Sequence, residues 1–350
     1  MAACVWLAGI AAAYAESPAP NVASSDQLNV QINDDRMTLA VAKVPQVYLY
    51  GPIDADAAQR IGALIQSHKI PQGSDIYLNS PGGDANAGMA LGRLFRANNM
   101  GTHLGTPRRN ARDPVVTKTS QCVDACAYAY VGGVYRWGPA GSDRFGAKSL
   151  AGDAQAIAPI KAYMREMGVN SLVFGMTPGG DVTWLDGDQM LGYGVANNGR
   201  LPPTATNTPA SGTSTLSLTQ TTRDGEHRLT LLCRANSLTV TAYYTIGTDR
   251  ARQVAARATQ FYFEIDHQPA TERERVGISA VGPSVVFSQP ISMVQLNQLL
   301  SARSMSAYAS DKGGAVRYGF WMELDPVRSN LREYASSCRQ MAGQAAPNKG

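Results

Sequence analysis

The chain has 350 residues, of which 44% are hydrophobic and 17% charged, a length and balance suited to two folded units with separate cores. Net charge is +4, and the basic residues are scattered apart from Pro107-Arg108-Arg109-Asn110-Ala111-Arg112. That cluster is short and holds no aromatic residue, so it reads as a solvated loop and excludes a nucleic-acid-binding stripe.

Residues 1–15 lack any charge, are mostly apolar and end in Ala13-Tyr14-Ala15 before Glu16, the pattern of a secretory signal peptide and its cleavage site. The basic n-region of such a signal is missing. The run is too short to span a bilayer, and no other stretch is long and apolar enough to do so. Export to the periplasm or beyond the cell is therefore expected. Residues 16–36, rich in Ser, Pro, Asn and Asp, are expected to form a flexible leader.

From Met37 the chain alternates strand and helix. Val47–Gly51 reads as a buried strand, 55–68 as a helix with Ile61, Leu64 and Ile65 at helical spacing, and Asp75–Asn79 as a second strand. Ser80-Pro81-Gly82-Gly83 ends that strand, and a helix runs from near Asp84 to Asn98. A strand over Gly101–Thr106, a polar loop, a short helix over Gln121–Gly133, a strand over Val134–Trp137 and a helix over Asp153–Met167 follow. This order implies a parallel sheet with right-handed crossovers in a unit over 37–200. Residues 201–220 are polar and Pro-broken and are expected to be a flexible linker. Beyond it, Leu238–Tyr244 and Phe261–Ile265 alternate as strands, so 221–342 is expected to be a smaller β-rich α+β unit, with 343–350 a disordered tail. A last helix starts at Asp325-Pro326 and places Leu331, Tyr334 and Cys338 on one face.

Of five cysteines, removal of Cys4 with the signal leaves an even four, as expected in an oxidising compartment. The natural pairs are Cys122 with Cys126 and Cys233 with Cys338. The first pair reads as a staple for a turn, with a thiol or redox role as its alternative. No His stands at metal-ligand spacing from any cysteine, so neither a metal nor a cofactor is expected. His68, His103, His227 and His267 lie in unrelated places and read as surface or core residues.

The strongest chemical signal is Asn79-Ser80-Pro81-Gly82-Gly83-Asp84 between a strand and a helix. Glycines there present backbone N–H groups beside the positive end of a helix, where an oxyanion could be held. This stretch, and the element order over roughly 45–198, resembles the ClpP/crotonase fold, and within it the ClpP-like and signal-peptide-peptidase-like serine peptidases. A secreted branch with a Cys-x-Ser-Ala-Cys turn looks closer still. Here that turn reads Cys122-Val123-Asp124-Ala125-Cys126. The resemblance implies a nucleophile at position 124, a base at position 148 and oxyanion donors at Gly82, Gly83 and Ala125.

The two reactive positions depart from the family: they hold Asp124 and Lys148. An ionised carboxylate has no proton for a base to remove and starts peptide acylation poorly. In one reading Asp124 caps the following helix and pairs with Lys148, leaving an exported pseudo-peptidase that binds or scaffolds. In a second, a rearranged dyad survives with Ser149, Ser120 or Ser80 as nucleophile and Lys148 as base. In a third the unit is crotonase-like with Asp124 as acid–base group, which coenzyme A thioesters make unattractive outside the cytoplasm. The resemblance implies a peptide or protein segment as partner and admits homo-oligomers.

Overall fold

The structure, a computed structural model, describes residues 26–108, 119–150, 154–175, 181–271 and 277–344. The expected signal peptide and Cys4 lie outside these residues. The first part contains β1 (Asn29–Asn33), α1 (Arg36–Ala42), β2 (Gln46–Tyr50), α2 (Ala57–Gln66), β3 (Asp75–Asn79), α3 (Ala85–Ala97) and β4 (Gly101–Leu104). It continues with β5 (Gln121–Val123), α4 (Ala125–Val131), β6 (Tyr135–Arg136), β7 (Arg144–Lys148), α5 (Ala154–Glu166), β8 (Val182–Leu185) and α6 (Gly187–Gly192).

One sheet has the order β1-β2-β3-β4-β6, with β2, β3, β4 and β6 parallel and β1 antiparallel at the edge. Val47, Leu49, Ile76 and Leu78 turn one face of it into the core, with Ile61 of α2 and Leu91 and Phe95 of α3. The strand period of two sends the alternate residues outward. There Tyr48, Tyr77, His103 and Trp137 stack in sequence with ring centroids 4.7, 4.6 and 4.3 Å apart. A smaller sheet, β5-β7-β8, is tied to the end of β3 by a parallel bridge between Ser80 and Cys122.

Part of the expected leader belongs to the fold. Residues 29–33 form the edge strand β1, paired from Asn29↔Tyr50 to Asn33↔Gln46. Polar Asn and Gln dominate the composition there, but Val30 and Ile32 alternate and pack on the core. The expected flexible linker is also overturned. Residues 204–210 and 213–222 are strands β9 (Thr204–Ala210) and β10 (Thr213–Thr222). In β10 Ser214, Leu216, Leu218 and Gln220 are buried in strict alternation with half-exposed threonines and Ser217. β-Branched threonine suits a pleated, half-buried surface, so the segment is a strand despite its polarity. Pro209 is tolerated because β9 lies at the sheet edge.

The chain continues through β11 (Gly225–Arg234), β12 (Ser237–Thr245), α7 (Thr248–Arg257), β13 (Gln260–Ile265), β14 (Gln268–Pro269), β15 (Ser279–Val281), β16 (Ser284–Pro290), α8 (Met293–Leu299), β17 (Ser304–Ser310), β18 (Arg317–Glu323) and α9 (Arg328–Gln344). Two antiparallel sheets result, in the orders β15-β16-β12-β11-β10-β9 and β14-β13-β17-β18. Phe287 of the first meets Phe261 and Phe263 of the second at 5.0 and 5.5 Å. On α9, Leu331, Tyr334, Ala335 and Cys338 are buried in this second apolar core. Cys338 is bonded to Cys233 of β11, with Cα atoms 5.8 Å apart. The protein is thus a mixed α/β chain with two apolar cores.

Candidate functional site

Two turns meet at the candidate site. The first leaves β3 through Ser80-Pro81-Gly82-Gly83 and enters α3, whose N-cap Asp84 accepts from the Ala87 N–H at 2.7 Å. Ile53 clamps this turn: its N–H donates to Gly82 O (2.8 Å) and its carbonyl accepts from Asp84 N–H (2.7 Å). In such a parallel bridge the middle residue directs its own N–H away from the partner. Gly83 is that middle residue, and its N–H donates to no group among the described residues. Its φ of +140° and a position where an added Cβ would stand 2.1 Å from Ile53 O both require glycine.

Gly82 behaves differently. Its N lies 3.2 Å from Ser80 Oγ, so this donor is already engaged inside the turn. The expected oxyanion role of Gly82 is therefore corrected: its part is steric. A Cβ placed on it would come within 2.9 Å of Asp124 Cβ, so the missing side chain makes room for Asp124.

The second turn joins β5 to α4 through Asp124. Its φ of 57° and ψ of −122° lie outside the regions ordinary residues occupy, and such strain persists only where surrounding structure enforces it. The enforcing contacts are visible. Ser80 N–H donates to Gln121 O (2.7 Å), Val123 N–H to Ser80 O (3.3 Å), and Gln121 N–H to Asn79 Oδ1 (3.1 Å). A disulfide between Cys122 and Cys126, with Cα atoms 5.2 Å apart, straddles the strained residue. Close helix packing holds the far side: a Cβ on Gly88 would stand 2.3 Å from Ala125 O, and one on Gly132 would stand 2.1 Å from Gly92 Cα. The backbones of α3 and α4 therefore touch.

A residue at the apex of a strained strand-to-helix turn projects its side chain clear of both elements, the geometry of a nucleophile elbow. Asp124 occupies that apex. Its side chain makes no capping bond to α4, which corrects the expected capping role: positive φ swings the carboxylate away from the helix start. Instead Asp124 Oδ2 lies 3.0 Å from Lys148 Nζ, with the two side chains 25% and 44% exposed. Lys148 is the last residue of β7, which runs parallel to β5 and brings its end level with the elbow. Ala125, first in α4, offers an N–H of the type that helix starts leave without an intrahelical partner.

The candidate serines do not gather here. Ser149 follows the end of β7 and is buried, with its N–H donated to Asp181 O at 2.9 Å. Ser120 is buried, its N–H held by Asp143 Oδ1 at 2.8 Å, while its Oγ finds no partner among the described residues. Ser80 alone adjoins the glycines, and its hydroxyl is bound within the turn. Segments 109–118 and 151–153, which follow β4 and Ser149-Leu150 in the chain, lie outside the described residues.

His103 stacks between Tyr77 and Trp137, and His227 clusters with Tyr244 and Phe320. Asp186 caps α6 in a reciprocal capping box with Gln189. Among the described residues no group of three or more His, Cys, Asp or Glu could hold a metal ion, and no helix is long and apolar enough to cross a membrane.

No protein-family model matches the chain, and no curated protein matches it. Solved structures do. A mutant of the 1510-N membrane-bound stomatin-specific protease is 18% identical, covers 43% of this chain and 76% of its own, and has a TM-score of 0.29. A second mutant of that protease, in complex with a substrate peptide, is 16% identical over 43% of this chain and 72% of its own, with a TM-score of 0.31. ClpP1 from Listeria monocytogenes is 15% identical over 43% of this chain and 88% of its own, with a TM-score of 0.30.

Proposed function

We propose that the first part of this chain is a ClpP-like unit whose peptidase chemistry has been lost, and that the protein is an exported pseudo-peptidase acting by binding or scaffolding. The observation that carries the proposal is the pairing of Asp124, at the apex of the elbow, with Lys148 at 3.0 Å. A carboxylate in that place has no proton for a base to remove, and its attack on a peptide carbonyl would have to form a high-energy anhydride, so it starts peptide acylation poorly. The facing Lys148 ammonium is engaged with that carboxylate, at the position the resemblance gives to the base. The N–H groups of Gly83 and Ala125 survive as donors able to receive a carbonyl or carboxylate oxygen of a bound segment. The paired cysteines fit an oxidising compartment and support export.

The rearranged serine–lysine reading finds no support in the positions of Ser149, Ser120 and Ser80. The deciding experiment treats the purified full chain with a fluorophosphonate probe and, separately, with fluorescein-labelled unfolded casein peptides followed by mass spectrometry. The expected outcome is no covalent label, saturable rise in peptide anisotropy and intact peptides after prolonged incubation. Labelling or cleavage that disappears in Ser149→Ala or Lys148→Ala would overturn the proposal and make the protein a hydrolase. Absence of peptide binding would remove peptides as its ligand class.

A further inference from the structure

A cavity of about 450 Å³ lies where the two apolar cores meet, within the size range of small-molecule sites. Its wall includes Arg96 of α3, Arg136 of β6, Arg165 of α5, Arg200 of the connecting segment and Trp321 of β18. The acids on the wall are Glu166 and Glu323. Glu166 is already engaged by Arg93 at 2.8 Å, which leaves Glu323 alone among four guanidinium groups. None of these four arginines forms an ion pair among the described residues.

Two of them have a structural anchor. Arg96 donates to Gly132 O (2.9 Å), Val131 O (3.1 Å) and Gly133 O (3.2 Å) at the C-terminal end of α4. Arg136, only 6% exposed, donates to Gly133 O and Gly194 O at 2.9 Å each, and to Val195 O at 2.9 Å. Cations at a helix C-terminus complement its carbonyls, which accounts for their placement without carboxylates. A guanidinium has five N–H donors, however. Arg96 keeps both hydrogens of Nη1 unengaged among the described residues, and Arg136 keeps one on Nη2.

Arg200 has no such anchor. It is half-buried, its guanidinium lies 4.4 Å from the Trp321 ring centroid, and its side chain donates to no acceptor among the described residues, whereas its backbone N–H donates to Asn197 O (3.0 Å). Its backbone is nevertheless fixed: Arg200 bridges to Thr222, Leu201 N–H donates to Thr221 O (2.9 Å), and Arg223 N–H donates to Gly199 O (2.8 Å). Gln220, only 3% exposed and on the same wall, donates its amide N–H to Leu201 O (3.2 Å) and carries an amide oxygen without a partner, an acceptor for a hydroxyl of the same ligand and not for its anionic group. A rigid wall that holds unsatisfied donors around a positive hollow is what recognition of an oxyanion requires.

We propose that this junction cavity binds a small ligand through a carboxylate or phosphate group, with Arg200 as the principal contact, supported by Arg165 and the spare N–H groups of Arg96 and Arg136. The site is separate from the elbow and does not depend on the elbow's function.

The test is calorimetric titration of the full chain with citrate and, in a second arm, inorganic phosphate, each against chloride of matched ionic strength. The expected result is saturable binding of at least one, with citrate alone indicating a carboxylate ligand and phosphate alone a phosphorylated one. Arg200→Gln should weaken Kd by about tenfold or more, the loss of one charge-assisted contact. Arg165→Gln, at an exposed position, should weaken it less and provides a variant whose folding is not in question. Asp124→Asn should bind like the unmodified chain. Failure of both anions to bind above the chloride control, or unchanged affinity in both arginine variants, would overturn the proposal.

Discussion

Asp124 Oδ2 and Lys148 Nζ lie 3.0 Å apart across 24 residues of chain, joining the apex of one turn to the end of a neighbouring strand. The pair is positioned by backbone, through β5 and β7 running parallel in register from Gln121↔Arg144 to Val123↔Gly146. Either side chain can therefore be changed while the turn that carries Asp124 stays in place.

That separation gives a first prediction on the backbone itself. Asp124 holds a φ of 57° and ψ of −122°, where glycine carries no steric penalty. Asp124→Gly relieves strain of about 1–3 kcal/mol and forfeits a partly exposed ion pair worth about 1 kcal/mol or less. Urea unfolding should show unchanged or raised stability for Asp124→Gly and a loss below about 1 kcal/mol for Lys148→Met. A large loss in Asp124→Gly would mean the carboxylate, and not the surrounding contacts, holds the elbow.

Gly132→Ala should act in the opposite direction. The added Cβ would meet Gly92 backbone atoms at 2.1–2.3 Å, and backbone cannot turn aside as a side chain can. A destabilisation of about 1–3 kcal/mol is expected from this overpacking, with α4 displaced from α3. Stability equal to the unmodified chain would show that the helices can part without cost.

Acid should weaken the second core through His227. Burial holds its imidazole down to about 4, opposed by Asp224 and reinforced by Arg200. The ring clusters with Tyr244 and Phe320, its centroid 5.0 and 4.9 Å from theirs and theirs 6.1 Å from each other. The unfolded chain takes up a proton near pH 6.5 that the folded chain refuses until near pH 4, so stability is full above that window and falls as pH drops through it. A loss on the order of 1–2 kcal/mol between pH 6.5 and 4.5 is expected in urea midpoints. His227→Phe should flatten that pH dependence, and an unaltered slope in this variant would place the titrating group elsewhere.

The two disulfides should differ in worth. Cys233–Cys338 closes a span of 105 residues, whereas Cys122–Cys126 closes a span of 4. Chain-entropy arguments assign about 4–5 kcal/mol to the long loop and about 2 kcal/mol to the short one. Double alanine replacement of each pair, compared by chemical denaturation, should preserve that order. Loss of the short bridge should show chiefly in faster amide exchange around Asp124.

Much of the site could be read from the sequence because its signals are local. Gly82-Gly83 before Asp84 announces a tight turn into a helix, and the Cys122–Cys126 spacing marks the second turn. Asp124 and Lys148 were legible as opposed charges, yet the sequence alone left open whether Asp124 would cap α4. That choice is set by the sign of φ at one residue, which no side-chain pattern encodes. The sequence likewise offers Gly82 as a donor: the Ser80 hydroxyl that engages it lies only two residues away, but its rotamer is a tertiary matter. Over residues 201–220 the polar, Pro-broken composition points to a linker and masks the strand period that Leu216 and Leu218 carry. The aromatic stack from Tyr48 to Trp137 and the arginine-lined junction draw single residues from separate elements, so neither leaves a trace at any fixed spacing.

The bridge between Cys233 and Cys338 has a bearing on how this protein would meet a protease. A cut anywhere in the intervening span would leave both pieces joined through sulfur, with β11 on one and the end of α9 on the other. Under non-reducing conditions the nicked molecule would migrate as a single body and could retain its shape. Only a reducing agent would reveal the break.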